Sequence, residues 1–417
     1  MNTEATAASA QELRARMVEK VRGDGFATNP RVERVLRQMP RHEFVPEADL
    51  QTAYHPFEAV ITHRFADGTS LSCASAPFVV AMMLDQLDVH PGHRVLEIGA
   101  GTGYNAALLA ELTGDSQLVT TIDADPEVTE QARRNLDAAG YGHMHVVTGD
   151  GTHGVPENGP YDRIIATVSP WDIPPSWWQQ LAPAGRMVLP LRWRGQTRAV
   201  ALAERGGKLV SDGVELCGFV PLTGDTEGER TAPITNDGTV SLHWDRDQPI
   251  DPSKLRGVLD TPHTSRWSGH MMVANEPFDG IWLRLTAEDS RTCRINAHPN
   301  VPRELVAPLA PMRSPALADG ESLAYVTQHR HRTEEGSRWE LGAIGHGPNA
   351  AALADRLVEV IGHWAHAREQ RPTIIACPAE AASTEHDHGT TIEKRHSRVA
   401  VTYAPEPDQP AENHRRF

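Results

Sequence analysis

Cysteine is scarce in this sequence, and a long apolar run is absent. The four cysteines among 417 residues lie far apart and form no CxxC pair, so neither a disulfide framework nor a structural zinc site is expected. Reduced thiols are typical of a cytoplasmic protein. The apolar run Phe78–Leu84 is far too short to cross a bilayer, and the acid-bearing segment Met1–Met17 is not typical of a signal peptide. We therefore expect a cytoplasmic protein without a membrane partner or a bound metal.

Positive charge is also in deficit along the whole chain. Lys and Arg number 19 against 27 Asp and Glu up to Leu222, and 21 against 28 after it. Both parts are acidic and have no excess of basic side chains to bind phosphate groups, so a nucleic-acid partner is not expected. A protein or peptide substrate is easier to reconcile with this charge. The oligomeric state cannot be inferred from these features.

The order of predicted elements changes along the chain. Residues 1–90 contain helices and loops, and residues 91–222 alternate strands with helices, which predicts a mostly parallel sheet covered on both faces. The polar stretch 223–231 predicts a linker. The order in 232–417 is less regular and predicts a separate α+β domain, with a strand at Gly280–Leu285 among others.

A glycine-rich turn follows a buried strand in the segment Val95–Tyr104. The predicted strand ends at Ile98, and the chain passes through Gly99-Ala-Gly101-Thr-Gly103 directly into a helix. Glycines are needed where a ligand approaches the backbone, because a Cβ would be in the way. The turn alone indicates a nucleotide-binding Rossmann unit, and NAD enzymes share it.

Three acidic side chains narrow the choice of nucleotide. Glu97 lies within the strand before the glycines, which is typical of methyltransferases and not of NAD enzymes. Asp123 ends the next strand, where a carboxylate can hold both ribose hydroxyls, and Asp150 follows the third strand, where an acceptor can meet the adenine amino group. Together they favour S-adenosylmethionine over NAD. The alternative for either aspartate is a cap on the following helix or turn.

These patterns predict an α/β protein, a Rossmann-like class I methyltransferase with a mixed seven-stranded sheet and a C-terminal α+β domain. The predicted cofactor contacts are Glu97, Gly99, Ala100, Gly101, Thr102, Gly103, Asp123, Ala124, Asp150 and Gly151.

Several blocks of residues 10–222 resemble the protein-isoaspartate carboxyl methyltransferase family. Val32–Pro46 is similar to its N-terminal signature, in which a helix ends in a Pro-Arg-x-x-Phe-Val-Pro turn. Ala53-Tyr54 corresponds to the Ala-Tyr pair of the family, and Ser75–Ala81 resembles the segment that carries its active-site serine. The resemblance implies methyl transfer from S-adenosylmethionine to a peptide carboxylate, with S-adenosylhomocysteine as the product.

A carboxylate acceptor sets modest chemical demands. It is ionised at neutral pH and needs no strong general base, only desolvation and alignment with the methyl group. By the resemblance, Ser75 is the hydroxyl that steers this carboxylate, and the alternative is that Ser75 caps the helix beginning near Pro77. Ser72 and Thr69 are nearby hydroxyls that could serve in its place.

Roughly 195 residues follow the part that resembles the family. Leu341–Pro348 and Glu393–Arg398 resemble a C-terminally extended branch associated with ribosomally made, modified peptides (lanthipeptides and graspetides). In that branch one aspartate of a cyclised precursor peptide is methylated, and the ester closes to an aspartimide that can hydrolyse to isoaspartate. The resemblance implies the same role here, with the second domain selecting the peptide. Tyr54, Val168 and His346 are further predicted substrate contacts.

Two other functions stay open. The first is general repair of isoaspartyl residues in damaged proteins, which His55–Glu58 and Phe78 count against because the family often has other residues there. The second is an inactive module that uses the cofactor fold to present a peptide. Asp123, Asp150 and Ser75 count against it, because an idle site need not retain all of them.

Overall fold

The computed structural model describes residues 8–64, 70–222, 228–274, 276–333, 336–381 and 389–404. The chain forms two compact units. The first runs up to Glu229 and includes Cys377–Ala381 and Lys394–Ser397, and the second consists of Arg230–Ala376, Ala382–Glu393 and the residues from Arg398 onward. Of the predicted linker, residues 223–227 lie outside the described residues, and its last residues belong to a strand that begins at Glu229.

The first unit begins with helices and a short hairpin and continues as alternating strands and helices. Its helices are α1 Ala10–Gly23, α2 Pro30–Gln38, α3 Leu50–Ala53, α4 Pro77–Leu87, α5 Tyr104–Thr113, α6 Pro126–Ala138 and α7 Pro175–Gln180. Its strands are β1 Val60–Arg64, β2 Ser70–Ala74, β3 Val95–Ile98, β4 Val119–Asp123, β5 His145–Thr148, β6 Tyr161–Ala166, β7 Leu181–Trp193, β8 Gln196–Arg205 and β9 Lys208–Leu216.

The sheet of the first unit has the strand order β9-β8-β7-β6-β3-β4-β5. Strands β3 to β7 run parallel, whereas β8 and β9 are antiparallel to their neighbours. The mixed pairing is as predicted from the sequence, but within the described residues the sheet has ten strands in all and not the seven expected. The chain proceeds from β3 to β4 and β5 on one side, and then to β6 and β7 on the other. The carboxyl ends of β3 and β6 therefore flank the crevice in which sheets of this kind bind ligands.

The central strand and the helices beside it are apolar because they are covered on all sides. All four residues of β3 are buried. In α4 the buried residues include Val79, Val80, Met83 and Leu84, so the helix has little polar surface. Complete burial of this kind removes the alternation seen in half-exposed strands and helices. Burial of β3 also holds the start of the glycine turn in place.

The second unit is a largely antiparallel sheet with two helices. The strands of this part of the chain are β10 Glu229–Pro233, β11 Val240–Asp245, β12 His263–Met272, β13 Thr292–Ala297, β14 Ser314–Asp319, β15 Ser322–Thr333, β16 Gly336–His346, β17 Thr373–Pro378, β18 Thr390–Glu393 and β19 Ser397–Thr402. Of these, β10, β17 and β19 also include residues of the first unit. The helices of the second unit are α8 Asp279–Glu288 and α9 Ala350–His366. Strands β10 to β16 form a seven-stranded sheet in the order β10-β11-β13-β14-β15-β16-β12. Leu353, Leu357 and Trp364 of α9 belong to its core.

The strand predicted at Gly280–Leu285 is wrong, because these residues lie in helix α8. Ile281, Leu283 and Leu285 alternate with other residues as in a strand, but Trp282 and Arg284 between them are buried as well. A helix that is covered nearly all round loses the 3.6-residue pattern on which a helix prediction depends. Here tertiary packing overrides the local pattern.

Three general features can be stated for the described ranges. No helix in them is long and apolar enough to span a membrane. No group of three His, Cys, Asp or Glu side chains in them is placed to hold a metal ion. All four cysteines lie within these ranges, and none of them forms a disulfide.

Candidate cofactor and substrate site

The turn between β3 and α5 accepts only glycine at its key positions. Gly99 and Gly103 have φ values of +100° and +83°, in the left-handed region that favours glycine. A Cβ on Gly99 would lie 2.5 Å from Thr167 Oγ1, and one on Gly103 would lie 3.0 Å from Leu136 Cγ. Because Gly99 has no Cβ, the Thr167 side chain can lie against the turn at the end of β6. Because Gly103 has none, α5 can pack closely against Leu136 of α6. The turn is therefore built for a close backbone approach.

Asp123 at the end of β4 faces this turn. Its Oδ2 accepts a hydrogen bond from the Gly101 amide at 3.3 Å, and its Oδ1 accepts one from the Asp125 amide at 3.2 Å. Burial raises the pKa of the Asp123 carboxyl above its usual value. The helix cap expected as the alternative role belongs to a different residue, because Asp125 and not Asp123 caps α6.

An open cleft of about 750 Å³ runs past the carboxyl ends of β3, β4 and β6. Predicted site residues that line it are Ser72, Gly99, Gly101, Asp123, Ala124, Asp150, Gly151 and Val168. Residues from the chain after β9, Val220, Pro221 and Leu222, complete the opposite wall. The cleft has carboxylates on one side, main chain at the glycine turn and apolar groups elsewhere. This lining suits a nucleoside with a charged tail.

Asp150 caps a short turn and also lines the cleft. Its Oδ1 accepts a hydrogen bond from the Thr152 amide at 2.8 Å, so it caps the short 3₁₀ turn Gly151–His153. The same residue lines the cleft. The cap uses Oδ1 and holds the side chain at the rim of the cleft, and Oδ2 lies 3.8 Å from His153 Nδ1.

Glu97 is completely buried behind the glycine turn. Its Oε1 accepts from Asn105 Nδ2 at 2.8 Å and its Oε2 accepts from Thr121 Oγ1 at 2.7 Å. Burial raises the pKa of Glu97 to about 7, although both hydrogen bonds act in the opposite direction. Asn105 and Thr121 carry no motif of their own, and sequence reasoning missed both.

A second cavity, of about 440 Å³, joins the turn to the segment before α4. Its lining includes Ser75, Glu97, Ala100, Gly101 and Thr102. Gly103 is not among the lining residues of either cavity, and its role is in the packing of α5. Ser75 is thus on the same cavity as the glycine turn.

Ser75 does not cap the helix that follows it. Helix α4 begins at Pro77, its N-cap residue is Ala76, and no side chain bonds its first turn. The hydroxyl of half-buried Ser75 is therefore not committed to the helix. Burial raises the pKa of the neighbouring Cys73 thiol, which keeps that residue neutral. Ser72 lines the larger cleft instead, and Thr69 lies outside the described residues.

Two other predicted substrate contacts are enclosed. The Tyr54 side chain is only 3% exposed, and its hydroxyl lies 2.8 Å from His42 Nδ1. His346 is in the second unit, 2% exposed, with its ring 6.0 Å from that of Tyr325. Neither side chain presents surface to a substrate in this structure. Val168, by contrast, lines the cleft.

Arg41 is a residue of the site region to which sequence reasoning assigned no role. Its buried guanidinium donates from Nη2 to the Ser75 carbonyl at 2.8 Å and from Nε to the Ala53 carbonyl at 2.9 Å. Arg41 is the arginine of the Pro-Arg-x-x-Phe-Val-Pro turn, which was the available signal. An arginine can donate to several main-chain carbonyls at once, because its planar guanidinium carries five N–H donors in a fixed geometry.

The fold and the site define a Rossmann-like class I methyltransferase. A model of the family described as protein-L-isoaspartate(D-aspartate) O-methyltransferase matches residues 12–227, which is just over half of the chain. The chain belongs to this family. Membership confirms the predicted enzyme class, a carboxyl methyltransferase, and S-adenosylmethionine as its cofactor.

Relatives of this chain carry the same description. The protein-L-isoaspartate O-methyltransferase of Hyperthermus butylicus is 42% identical over 224 residues, which cover 52% of this chain and 90% of the relative. That of Methanopyrus kandleri is 40% identical over 218 residues, covering 52% of this chain and 93% of the relative.

Two solved structures with the same protein name are also similar to this chain. One protein-L-isoaspartate O-methyltransferase matches with a TM-score of 0.49 and 20% identity, covering 87% of this chain and 96% of its own. A putative enzyme of the same name from Plasmodium falciparum, in complex with S-adenosyl-L-homocysteine, matches with a TM-score of 0.43 and 18% identity, covering 50% and 98%.

Proposed function

We propose that this protein methylates the side-chain carboxylate of one aspartate in a ribosomally made, cyclised precursor peptide. One observation carries the proposal beyond the family's activity. The family match ends at residue 227, and the chain then forms a second compact unit with its own seven-stranded sheet. An enzyme for damaged proteins must accept many sequences, whereas a modifier of one aspartate benefits from added surface that selects it.

The surface of the second unit supports peptide recognition. Trp267 and Met271 on β12 are 43% and 37% exposed, and the His329 ring lies 5.6 Å from that of Trp267. Exposed tryptophan and methionine are enriched where proteins bind partners. Leu341–Pro348 and Glu393–Arg398 add the resemblance to peptide-modifying relatives.

We assign the cofactor contacts within the cleft as follows. Asp123 holds the ribose hydroxyls, Asp150 accepts from the adenine amino group, and Gly99–Gly103 gives the backbone room for the amino-acid part. The close approach at Gly99 and the Asp123 carboxylate beside the turn fit such a group. When bound, S-adenosylmethionine supplies the methyl group for transfer.

The protein's part in the transfer is positioning. The acceptor carboxylate is already ionised at neutral pH, so no residue has to remove a proton from it. The Ser75 hydroxyl donates one hydrogen bond that orients the carboxylate without neutralising it. The 440 Å³ cavity places the carboxylate beside the glycine turn, and proximity of this kind lowers the barrier by roughly several kcal/mol.

The product ester can cyclise and so modify the peptide backbone. The backbone nitrogen of the next residue attacks the ester carbonyl, a C–N bond forms and the C–O bond to the methoxy group breaks. The amide proton leaves with the methoxy group as methanol, and a five-membered aspartimide remains. Water can open that ring to isoaspartate or aspartate.

Repair of isoaspartyl residues is the second candidate. The 42% identity to a protein-L-isoaspartate O-methyltransferase over 224 residues favours it. It requires no contribution from the second unit to substrate choice. The two proposals therefore differ in which peptide is methylated and whether residues after 230 affect it.

Incubation of the full chain with S-adenosylmethionine separates them. A generic isoaspartyl peptide, a linear precursor and the cyclised precursor are offered separately, and products are followed by mass spectrometry. We expect gain of one methyl group and then loss of methanol on the cyclised precursor alone. Efficient methylation of the isoaspartyl peptide, with none on the precursor, would establish repair instead.

A pair of variants tests the role of the second unit. Trp267→Ala should raise the KM for the precursor by about tenfold, because a half-exposed tryptophan contact contributes of order 1–2 kcal/mol. Met312→Ala is the matched control, since Met312 is 55% exposed in the same unit. Equal kinetics for both variants and the parent would remove the second unit from substrate selection.

A further inference from the structure

A short segment from late in the chain is part of the first unit. Lys394–Ser397 belongs to the methyltransferase unit by its contacts, although it lies more than 160 residues beyond Glu229 in the sequence. Lys394 Nζ donates to the main-chain carbonyls of Trp171 and Arg192, at 2.5 and 2.8 Å. The same ammonium lies 4.1 Å from the centroid of the Trp171 ring.

The second half of the segment binds a buried carboxylate. Asp172 Oδ1 accepts from Ser397 Oγ at 2.5 Å, and Oδ2 accepts from the His396 amide at 2.6 Å. Asp172 and Ser397 are both 0% exposed. Hydrogen bonds to a charged group are short and about twice as strong as neutral ones, and a buried carboxylate is tolerated only when it is satisfied. The segment and the loop after β6 are thus tied at two adjacent residues.

This loop continues directly into the wall of the cleft. The Ser169 amide donates to the Val220 carbonyl at 2.7 Å, and the Leu222 amide donates to the Ser169 carbonyl at 2.9 Å. Val168, Val220 and Leu222 all line the 750 Å³ cleft. Only two residues separate Asp172 from Ser169. Displacement of Asp172 would therefore shift both segments of this wall, the one around Val168 and the one from Val220 to Leu222.

Lys394 differs from the other lysines of the chain in its environment. All four lysines lie within the described ranges, and Lys394 is buried whereas Lys20 and Lys254 are exposed and Lys208 is intermediate. Burying an ammonium group is unfavourable unless hydrogen bonds replace its water. A hydrophobic residue would suffice for packing alone. The burial of Lys394 therefore indicates that its hydrogen bonds to the Trp171 and Arg192 carbonyls are needed at this position.

We propose that Lys394–Ser397 is a positioning element that holds the wall formed by 168–172 and 220–222 in its binding geometry. This inference rests on the proposed cleft but not on the identity of the peptide. Val168, Val220 and Leu222 line the same cleft as Asp123 and Asp150, and a Cβ on Gly151 would lie 4.0 Å from Leu222 Cδ1. The segment therefore acts on the wall of the cleft to which we assign the cofactor.

Hydrogen exchange of the full chain tests the tie without any need for activity. Lys394→Met keeps the apolar stem and removes the donors, and Ser397→Ala removes one bond to Asp172. Both should speed exchange of the amides in 168–173 and 219–222 by about tenfold, while those of β4 stay at the parent rate. Lys254→Met, an exposed lysine, is the matched control and should match the parent.

Kinetics then separates positioning from local stability. The substrate is the isoaspartyl peptide or the cyclised precursor, whichever the parent methylates, and S-adenosylhomocysteine affinity is measured by calorimetry. For both variants we expect a cofactor-product Kd raised about tenfold, because the loosened wall lines the cofactor cleft, and a kcat at saturating cofactor within about twofold of the parent. Exchange at parent rates, or faster exchange with an unchanged cofactor-product Kd, would overturn the proposal. Faster exchange throughout the chain would overturn it too, because the segment would then only stabilise the fold.

Discussion

Arg41 Nη2 lies 2.8 Å from the carbonyl oxygen of Ser75 and donates a hydrogen bond to it. The same nitrogen lies 3.1 Å from the Ala74 carbonyl, and the guanidinium carbon is 4.9 Å from the centre of the Tyr104 ring. Arg41 is 0% exposed. One buried side chain thus connects the loop that carries the predicted catalytic serine with the helix that follows the glycine turn.

Replacement of Arg41 by Met should disturb this connection. Three main-chain carbonyls would lose their donor, and a buried unsatisfied acceptor costs about 1–3 kcal/mol. We expect a free energy of unfolding lower by about 3 kcal/mol and a kcat/KM lower by at least about tenfold. Urea unfolding and steady-state methylation measure the two effects.

Two further variants calibrate that result. Arg41→Lys keeps the charge but has no planar fork, so it should recover stability only in part. Arg134→Met removes an exposed arginine paired with Glu130 and should change neither quantity appreciably. Parent-like stability and activity in Arg41→Met would show that the three carbonyls are satisfied without it.

Ser75→Ala should impair transfer and spare the cofactor. The hydroxyl bonds the acceptor and not the nucleoside, so kcat should fall by about 10- to 100-fold while S-adenosylhomocysteine affinity stays within about twofold. Single-turnover methylation and calorimetry measure these. Ser72→Ala is the comparison, since Ser72 lines the larger cleft. A loss of cofactor affinity in Ser75→Ala would assign the serine to the structure of the turn.

Asp123→Asn should weaken cofactor binding. A carboxylate that accepts from hydroxyls contributes about 1.5–3 kcal/mol, so the Kd for S-adenosylhomocysteine should rise about 10- to 100-fold. Asp115→Asn is the matched control, because Asp115 is an exposed turn residue that caps Ser116–Leu118. An unchanged Kd in Asp123→Asn would remove the assignment of Asp123 to the ribose.

Glu97 should make stability depend on pH between about 4.5 and 7. Burial raises its pKa in the folded protein to about 7, above the 4.5 of the unfolded chain. As pH rises through this window, the unfolded state loses the proton while the folded state still holds it. The free energy of unfolding therefore falls, by about 3 kcal/mol at most, and this contribution is constant above pH 7.

The variant Glu97→Gln isolates that contribution. Its amide oxygen can accept from Asn105, and its amide nitrogen can donate to the Thr121 hydroxyl. Urea unfolding at several pH values from 4.5 to 8 should show a decline in the parent that is absent from the variant. Identical pH profiles for the two proteins would mean that Glu97 has the same proton affinity folded and unfolded.

Local sequence was sufficient for the cofactor side of the site. The run Val95–Ile98 is apolar except for Glu97, and the glycines of the turn need positive φ angles that few other residues adopt. Asp123 and Asp150 follow strands whose order was clear from alternation. Their meeting at one edge is a property of parallel sheets in general, so it could be predicted without coordinates.

Elements whose pattern is set by distant contacts could not be predicted in the same way. The apolar residues of helix α8 alternate with other residues as in a strand, because the helix is buried on nearly every side. Gly280 in this helix lets the Trp364 ring of α9 approach closely. Tyr54 and His346 were expected at the substrate, but packing encloses both. An amino-acid type indicates what a side chain can do, whereas its exposure depends on what the fold places over it.

The sequence by itself determined the class of protein: a strand, a glycine turn and a helix form from local sterics, and successive strand ends carry the carboxylates. Only the tertiary structure decided the partners of the buried charges. Arg41 meets a carbonyl 34 residues away, and Lys394 meets one 223 residues away. A main-chain carbonyl carries no signature in the sequence, so which donor reaches it follows from long-range packing alone.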